Sequence, residues 1–434
     1  MLKIYLKQAW MLVKQNRLFS VIYVLGTSIA IALVMVIFIV FYIKLAPIYP
    51  EYNRREMMAV KMVKRFPKGN PDSWSMNMGT SYRLIRDFLP NIPHVVKATG
   101  CLPVWGDDVK VGRVGDNEET KVISMYADAS FWNVFSFRFL EGKPFTVADV
   151  EAGRPVAVLS RDMAETLFAK TDVVGERFTL SGREMIVCGV VKSASNATPN
   201  SAADVYLPLW LSPFLENEQT ATGLFGNICA YFVVDDSNYK DEVKLAVQRV
   251  QEQVNREDPD YDYDLGGQPE DIFLSSYRRF DVTAEWWRDI IKPIIFMLTA
   301  LLFIPAFNLS GMISSRMDDR LSEMGVRKAY GATNGQLLRQ ILLENLLLTA
   351  AGCVVGLLLS YLIVYTASDW ILTLFDHHVM SSDSTVSISP EMLFNPVLFL
   401  IVSFVCLLLN VVSAVVPVSH ALRHTIIYSL NSKR

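Results

Sequence analysis

Four stretches of the chain contain no Asp, Glu, Lys or Arg, are dominated by apolar residues, and each exceed 20 residues: 18–43, 293–315, 345–368 and 392–419. A helix needs about 20 apolar residues to cross the hydrocarbon core of a bilayer. All four meet that length, so the chain is expected to cross a membrane four times. Of its 434 residues, 51% are apolar and 20% charged. With its charges confined between the four stretches, a protein that is soluble throughout is excluded, and so are a disordered chain, a disulfide scaffold and a fibre.

The charges also orient the chain. The N-terminal flank carries Lys3, Lys7, Lys14 and Arg17 and no acid, and the tail carries Arg423, Lys433 and Arg434. The segment between the second and third stretches carries Arg316, Arg320, Arg327, Lys328 and Arg339. The segment after the third carries only acids: Asp369, Asp376, Asp383 and Glu391. Positive flanks stay on the cytoplasmic side. Both termini are therefore expected in the cytoplasm, and the long insert 44–292 outside. That insert holds 29 of the 41 basic and 36 of the 44 acidic residues. Its net charge of about −7 argues against nucleic acid or anionic headgroups as partners. The first stretch is too long for the apolar core of a cleaved signal peptide, about 7–15 residues. In front of it, Leu2, Leu6, Ala9, Trp10 and Val13 share one helical face and Lys3, Lys7 and Lys14 another, as in a helix lying in the interface.

The four stretches contain no titratable carboxylate, Lys, Arg or His. Ion-coupled carriers need such groups at mid-membrane, so a secondary transporter is not expected. Gly352 and Gly356 form a GxxxG in the third stretch, with Gly26 and Ala30 a weaker pair in the first. Small residues let helix backbones approach, either within one subunit or along a dimer seam. Pro305 and Asn308 predict a kink in the second stretch.

The insert reads as mixed α and β. Strands are expected at 57–63, 121–125, 155–159, 177–180, 185–191, 228–234 and 261–265, and helices at 80–89, 161–169 and 239–254. The early and late pieces, 45–98 and 226–285, are expected to close into a split ferredoxin-like unit, with 99–225 a β-rich insert within it. Asp260, Asp262, Asp264 and Asp271 imitate part of a calcium loop, but Gly266 is one place late and the final Glu is missing. They read as solvated acids on an edge strand. His377 and His378 have no nearby Cys and are not expected to hold a metal. Cys101, Cys188 and Cys229 lie outside the spans, an odd number, and Cys353 and Cys406 within them. Buried thiols are expected. GxSxG and HExxH motifs are absent, and no catalytic constellation stands out.

The connection 316–344 is the most informative. Met317, Leu321 and Met324 are spaced to face one way on a short helix. Gly331 is placed to stop that helix in the left-handed conformation. Thr333 and Gln336 then form a T-x-x-Q capping box that opens the next helix, which runs into the third stretch.

The run Glu323-Met-Gly-Val-Arg-Lys-Ala-Tyr-Gly-Ala-Thr333, followed by Gln340 and Glu344, resembles the coupling segment of MacB/FtsX-type ABC transporter permeases. The external run Leu140-Glu-Gly-Lys-Pro-Phe-Thr-Val-Ala-Asp149 is similar to that family's extracytoplasmic domain. So are Val156-Ala-Val-Leu-Ser160, Leu167-Phe168, Val174-Gly175, Val187-Cys-Gly-Val-Val191 and Tyr206-Leu-Pro208. Tyr330 stands where the family usually has Leu, and Lys143 where Arg is usual.

The resemblance implies four transmembrane helices with a large α+β extracytoplasmic domain between the first two. Its porter-like part is 45–98 and 226–285, and its sabre-like insert 99–225. The full expected order is an N-terminal amphipathic helix 1–17, TM1 18–43, the external domain 44–292, TM2 293–315, a coupling helix and loop 316–344, TM3 345–368, an external loop 369–391, TM4 392–419 and a tail 420–434. The chain lacks G-x-x-x-x-G-K-[ST]. ATP is therefore expected on a separate cytoplasmic ATPase, and this chain is expected to be non-catalytic and free of cofactor or metal. A second permease copy or paralogue and a periplasmic adaptor are the other implied partners, and the cytoplasmic membrane the implied location. The implied mechanism is mechanotransmission: ATPase closure moves the coupling helix, and the external domain answers for export or extraction of a substrate. In a competing reading, the same architecture is a signalling module that controls a cell-wall hydrolase or a sensor kinase. Arg320, Glu323, Met324, Gly325, Val326, Arg327, Lys328 and Gly331 are the candidate ATPase-coupling residues, with Gly352 and Gly356 the candidates for packing or dimerisation.

Overall fold

The computed structural model describes residues 17–104, 109–116, 118–195, 198–212, 223–276, 278, 292, 295–297, 299–300, 324–374 and 396–422. Two compact units divide the chain: 1–42 with 292–371 and 390–434, and 43–291 with 372–389.

The second unit is built on a twelve-stranded sheet. Its strands are β1 (Met57–Val60), β4 (Val95–Val104), β5 (Lys110–Arg113), β6 (Glu119–Lys121), β7 (Ser124–Ala127), β8 (Phe139–Gly142), β9 (Val156–Ser160), β10 (Arg177–Leu180), β11 (Arg183–Val191), β12 (Val205–Pro208), β14 (Cys229–Val234) and β16 (Glu270–Asp271). Their order is β16-β1-β14-β4-β7-β12-β9-β11-β10-β5-β6, with β8 also paired to β11. Most pairs are antiparallel; β9 with β11 and β7 with β12 run parallel. A smaller sheet joins β13 (Phe225–Gly226), β3 (Met76–Thr80), β2 (Val63–Pro67) and β15 (Tyr261–Asp264) in that order.

The central strands are buried on both faces. Met57 and Ala59 enter one core with Met125, Val158 and Tyr206, while Met58 and Val60 enter the other with Leu159, Leu207 and Phe232. Alternate residues of a strand point to opposite faces, so these runs are continuously apolar rather than alternating. β4 is shared: residues 95–101 pair with β14 and 101–104 with β7.

The expected strand 57–63 is two strands. It breaks at Lys61 and Met62, whose backbone N–H groups both donate to Gln268 Oε1, at 2.8 and 3.3 Å. Gln268 Nε2 donates back to the carbonyls of Met62 and Leu265. One amide side chain thus replaces the ladder bonds lost where the chain passes from one sheet to the other. The expected strand 121–125 is also divided, because Ile123 N donates to Asp204 Oδ2 instead of a neighbouring strand. The expected helix 80–89 begins later. Thr80 closes β3, and 84–88 is a π turn followed by a 3₁₀ turn containing Pro90.

The two longest described helices of this unit pack into its larger core. α2 (Arg161–Phe168) is capped by Ser160, whose Oγ accepts from Met163 N at 3.2 Å. α3 (Lys240–Glu257) buries Val243, Val247 and Val254 in the larger core. Each buried Val contributes roughly 1.5–3 kcal/mol relative to exposure.

In the first unit, α1 (Arg17–Leu45), α4 (Asn334–Leu374) and α5 (Pro396–Leu422) are long apolar helices. Segments 20–45 and 334–367 are long and apolar enough to cross a membrane. Ile31, Met35, Cys353 and Val402 pack α1, α4 and α5 on one another. Nearly all of the expected span 293–315, the flank 1–16, the loop 375–391 and the tail 423–434 lie outside the described residues.

Candidate functional site

Residues 324–329 form a short helix, and its end has the geometry that Gly331 requires. Gly331 takes φ +90°. Its N–H donates to Lys328 O at 3.0 Å, and Ala332 N donates to Arg327 O at 3.0 Å. This is a Schellman termination, satisfying carbonyls that would otherwise end the helix unpaired. Two residues on, Thr333 N donates to Gln336 Oε1 at 3.1 Å and Gln336 N to Thr333 Oγ1 at 3.3 Å. The reciprocal pair opens α4. With each helix end capped and only a brief turn between them, the junction is stiff.

Side chains tie the two helices together. Met324, 6% exposed, packs with Leu337, Ile341, Ala414 and Val418 of α4 and α5. Arg327 Nη1 donates to Gln340 Oε1 at 2.7 Å, and Gln340 Nε2 donates to the buried Glu344 at 3.3 Å. The polar face of the short helix therefore continues as a chain of hydrogen bonds into α4, buried at Gln340 and Glu344.

The candidate coupling residues separate accordingly. Met324 and Gly325 are buried, Arg327 and Lys328 are half-buried, and Val326 and Gly331 are exposed. Met324, one of the candidate coupling residues, packs against this chain's own α4 and α5. Tyr330, noted in the sequence only as a departure, is 89% exposed. Arg320 and Glu323 lie outside the described residues. Gly352 and Gly356 face α1. A Cβ at Gly352 would lie 2.9 Å from Thr27 Cγ2, and one at Gly356 2.9 Å from Ser28 O. Beside them Tyr23 OH and Thr349 Oγ1 are 3.2 Å apart. The small residues are thus used for packing within the chain.

Two features of the other unit carry no sequence signal and were missed. After α1, Arg54 Nε donates to Glu51 Oε2 at 2.7 Å and Arg54 Nη1 to the carbonyls of Ile43 and Ala46, at 2.5 and 3.3 Å. Glu51 Oε1 accepts from Ser201 Oγ at 2.8 Å. At the domain's other end, Arg278 makes a two-point pair with Glu270, at 2.7 and 2.8 Å, and donates to Gly266 O at 3.0 Å. Both arginines are almost fully buried. Each is a buried, hydrogen-bonded charge within the second unit.

The other sequence candidates are ordinary. β15 is an edge strand, and its Asp262 pairs with Lys68 at 3.0 Å. Cys101, Cys188, Cys229 and Cys353 are free thiols. Burial raises the Cys188 thiol to about 12, keeping it protonated and unreactive at neutral pH. His377 and His378 lie outside the described residues.

Residues 20–250 match the MacB-like periplasmic core domain, and 295–426 match the FtsX-like permease C-terminal domain. A Bacillus subtilis protein described as the uncharacterized ABC transporter permease YknZ is 28% identical over 245 residues, 56% of this chain and 57% of that protein. The macrolide export ATP-binding/permease protein MacB of Photorhabdus laumondii is 23% identical over 239 residues, 55% of this chain and 34% of MacB. The crystal structure of the extracellular domain of YknZ from Gram-positive bacteria aligns with 46% of this chain and 98% of that domain, at 16% identity and a TM-score of 0.33. The matches span from about a third to under three fifths of those two curated relatives. A periplasmic core domain followed by an FtsX-like C-terminal part places this chain in the MacB/FtsX-type family of ABC transporter permeases.

Proposed function

We propose that the chain is the membrane subunit of an ATP-driven exporter or extractor, working with a separate cytoplasmic ATPase. It crosses the cytoplasmic membrane four times with both termini inside, and pairs with a second permease copy or paralogue. A periplasmic adaptor is a further partner in this reading. The ATPase grips the helix ending at Gly331, and its closure is transmitted to the outer domain without substrate passing between the spans.

The observation that carries this reading is the doubly capped junction at 324–336. A solvated connector has no need of a Schellman end, a capping box and a partly buried Arg327–Gln340–Glu344 chain within so few residues. A lever does, because force applied at one end must not be lost in a flexible turn. Exposed Tyr330 and Val326 are the apolar contacts offered to the ATPase; Lys328, Arg320 and Glu323 are the polar ones.

The test is affinity purification of the solubilised protein from native membranes, with mass spectrometry and an ATPase assay. A co-purifying ATPase, released by Tyr330→Ala or Glu323→Lys, is the expected result. If gentle extraction yields no ATPase, the coupling role fails and an anchored regulatory module takes its place.

A further inference from the structure

The small sheet holds a cation without a counter-ion among the described residues. Arg65 of β2 lies against two aromatic rings, its guanidinium carbon 4.3 Å from the Phe225 ring centre and 4.8 Å from that of Tyr261. Both rings are within cation–π distance of the guanidinium. Its N–H groups remain to be satisfied. Nε is buried and has no hydrogen-bond partner, and Nη2 has only Met76 Sδ at 3.6 Å, a weak acceptor. Nearby carboxylates are engaged elsewhere: Asp262 pairs with Lys68 at 3.0 Å, and Asp258 accepts from Tyr263 OH at 2.5 Å.

A guanidinium set against two rings, with Nε buried, is partly stripped of water, and an unpaired charge in that setting is costly. The same setting strengthens the attraction for an anion that arrives in the plane. Around it lies apolar surface open to solvent: Trp74 is 52% exposed and set edge-on to Tyr261, with ring centres 6.2 Å apart, and Met76 is 42% exposed.

We propose that this end of the small sheet binds a monoanionic amphiphile, a long-chain carboxylate whose head meets the Arg65 fork and whose chain lies along Trp74 and Met76. The planar fork matches a carboxylate's two oxygens. One unpaired cation balances one negative charge, which favours a carboxylate over a phosphate monoester. The wet, apolar Trp and Met surfaces suit an acyl chain.

The proposal rests on the permease reading only for the side of the membrane on which the site lies. The test uses the full chain in lipid nanodiscs and a diazirine-bearing hexadecanoate, with the matching hexadecanol as neutral probe. Cross-linked peptides are mapped by mass spectrometry. The carboxylate probe is expected to label residues 74–80 or 261–264, and the alcohol about tenfold less, as the loss of a charge-assisted pair implies. Arg65→Gln should lower labelling to the level of the alcohol, and Trp74→Ala, at an exposed position, should also weaken it. Lys64→Gln should leave it unchanged, since Lys64 lies over Phe66 on the other face of β2. Equal labelling by both probes, or labelling indifferent to Arg65→Gln, overturns the proposal. So does better competition by hexadecyl phosphate than by hexadecanoate. The assay needs no ATPase, so an empty ATPase pull-down leaves this site standing, and unlabelled peptides leave the permease reading standing.

Discussion

A charge that has left water must be met inside the protein, and here that requirement falls on a few residues. Arg278 and Glu270 satisfy one another at two points. Removing one member of a buried pair leaves the other uncompensated, at a cost of about 3–5 kcal/mol. Arg278→Met is therefore expected to lower the unfolding free energy of the outer domain by that order. Adding Glu270→Gln should recover part of the loss, and chemical denaturation of the single and double variants measures both. Asp128 is a different case. It accepts from Thr99 Oγ1 at 2.7 Å and from the N–H groups of Gly100 and Ser130 at 3.0 Å. Burial outweighs these bonds and holds its carboxyl above the usual range. The folded state then binds a proton more readily than the unfolded one, so this group's contribution to stability falls as pH rises from the ordinary carboxylate value through the raised one. Asp204, raised by burial as well, acts in the same direction. On acidification through the raised value, Asp128→Asn should therefore lose melting temperature relative to the native chain. None of these residues is legible in the sequence, because an Arg or Asp in a polar stretch looks the same whether it will be buried or solvated.

The elements were more legible where local chemistry decides them. Gly331 and the Thr333–Gln336 box lie where the sequence puts them, since a positive φ and a reciprocal cap depend on neighbours in the chain. Gly331→Ala forces a side chain into the left-handed region at about 1–2 kcal/mol. Faster hydrogen exchange at residues 331 and 332 is the expected sign, with ATPase affinity weakened alongside. Strands 177–180 and 228–234 were readable from their β-branched and aromatic residues. The breaks at Lys61 and Ile123 were not, because the groups that cause them, Gln268 and Asp204, come from distant parts of the chain. The GxxxG lies between: the sequence marks Gly352 and Gly356 as a close-packing face but cannot name the occupant, and the structure fills it with α1. Gly356→Val places atoms against the Ser28 carbonyl and Ile31, so the helices must part, at roughly 1–3 kcal/mol. A lower thermal stability in detergent, with the outer domain's denaturation unchanged, would locate the damage in α1 and α4.

At the scale of the whole molecule, apolar continuity and charge asymmetry carry most of the information. Long runs without charge mark α1, α4 and α5, and the acid-rich remainder marks a domain that folds in water. The twelve-stranded sheet was not foreseen as one sheet. Its members are short and many, and the pairing of β4 with both β14 and β7 is a long-range outcome that no local pattern encodes. The orientation read from the charges makes a strong demand: Tyr330 and Val147, both on exposed surfaces, must lie on opposite sides of the membrane. The four described thiols, of which Cys101 and Cys353 are buried, form no disulfides, so replacing the five native cysteines by Ser or Ala should be tolerated well enough to build on. On that background, a membrane-impermeant maleimide should label Val147→Cys in intact cells, and Tyr330→Cys only after the membrane is opened. Labelling of Tyr330→Cys from outside would invert the chain, put the capped helix beyond the reach of any cytoplasmic ATPase, and remove the physical basis for the lever.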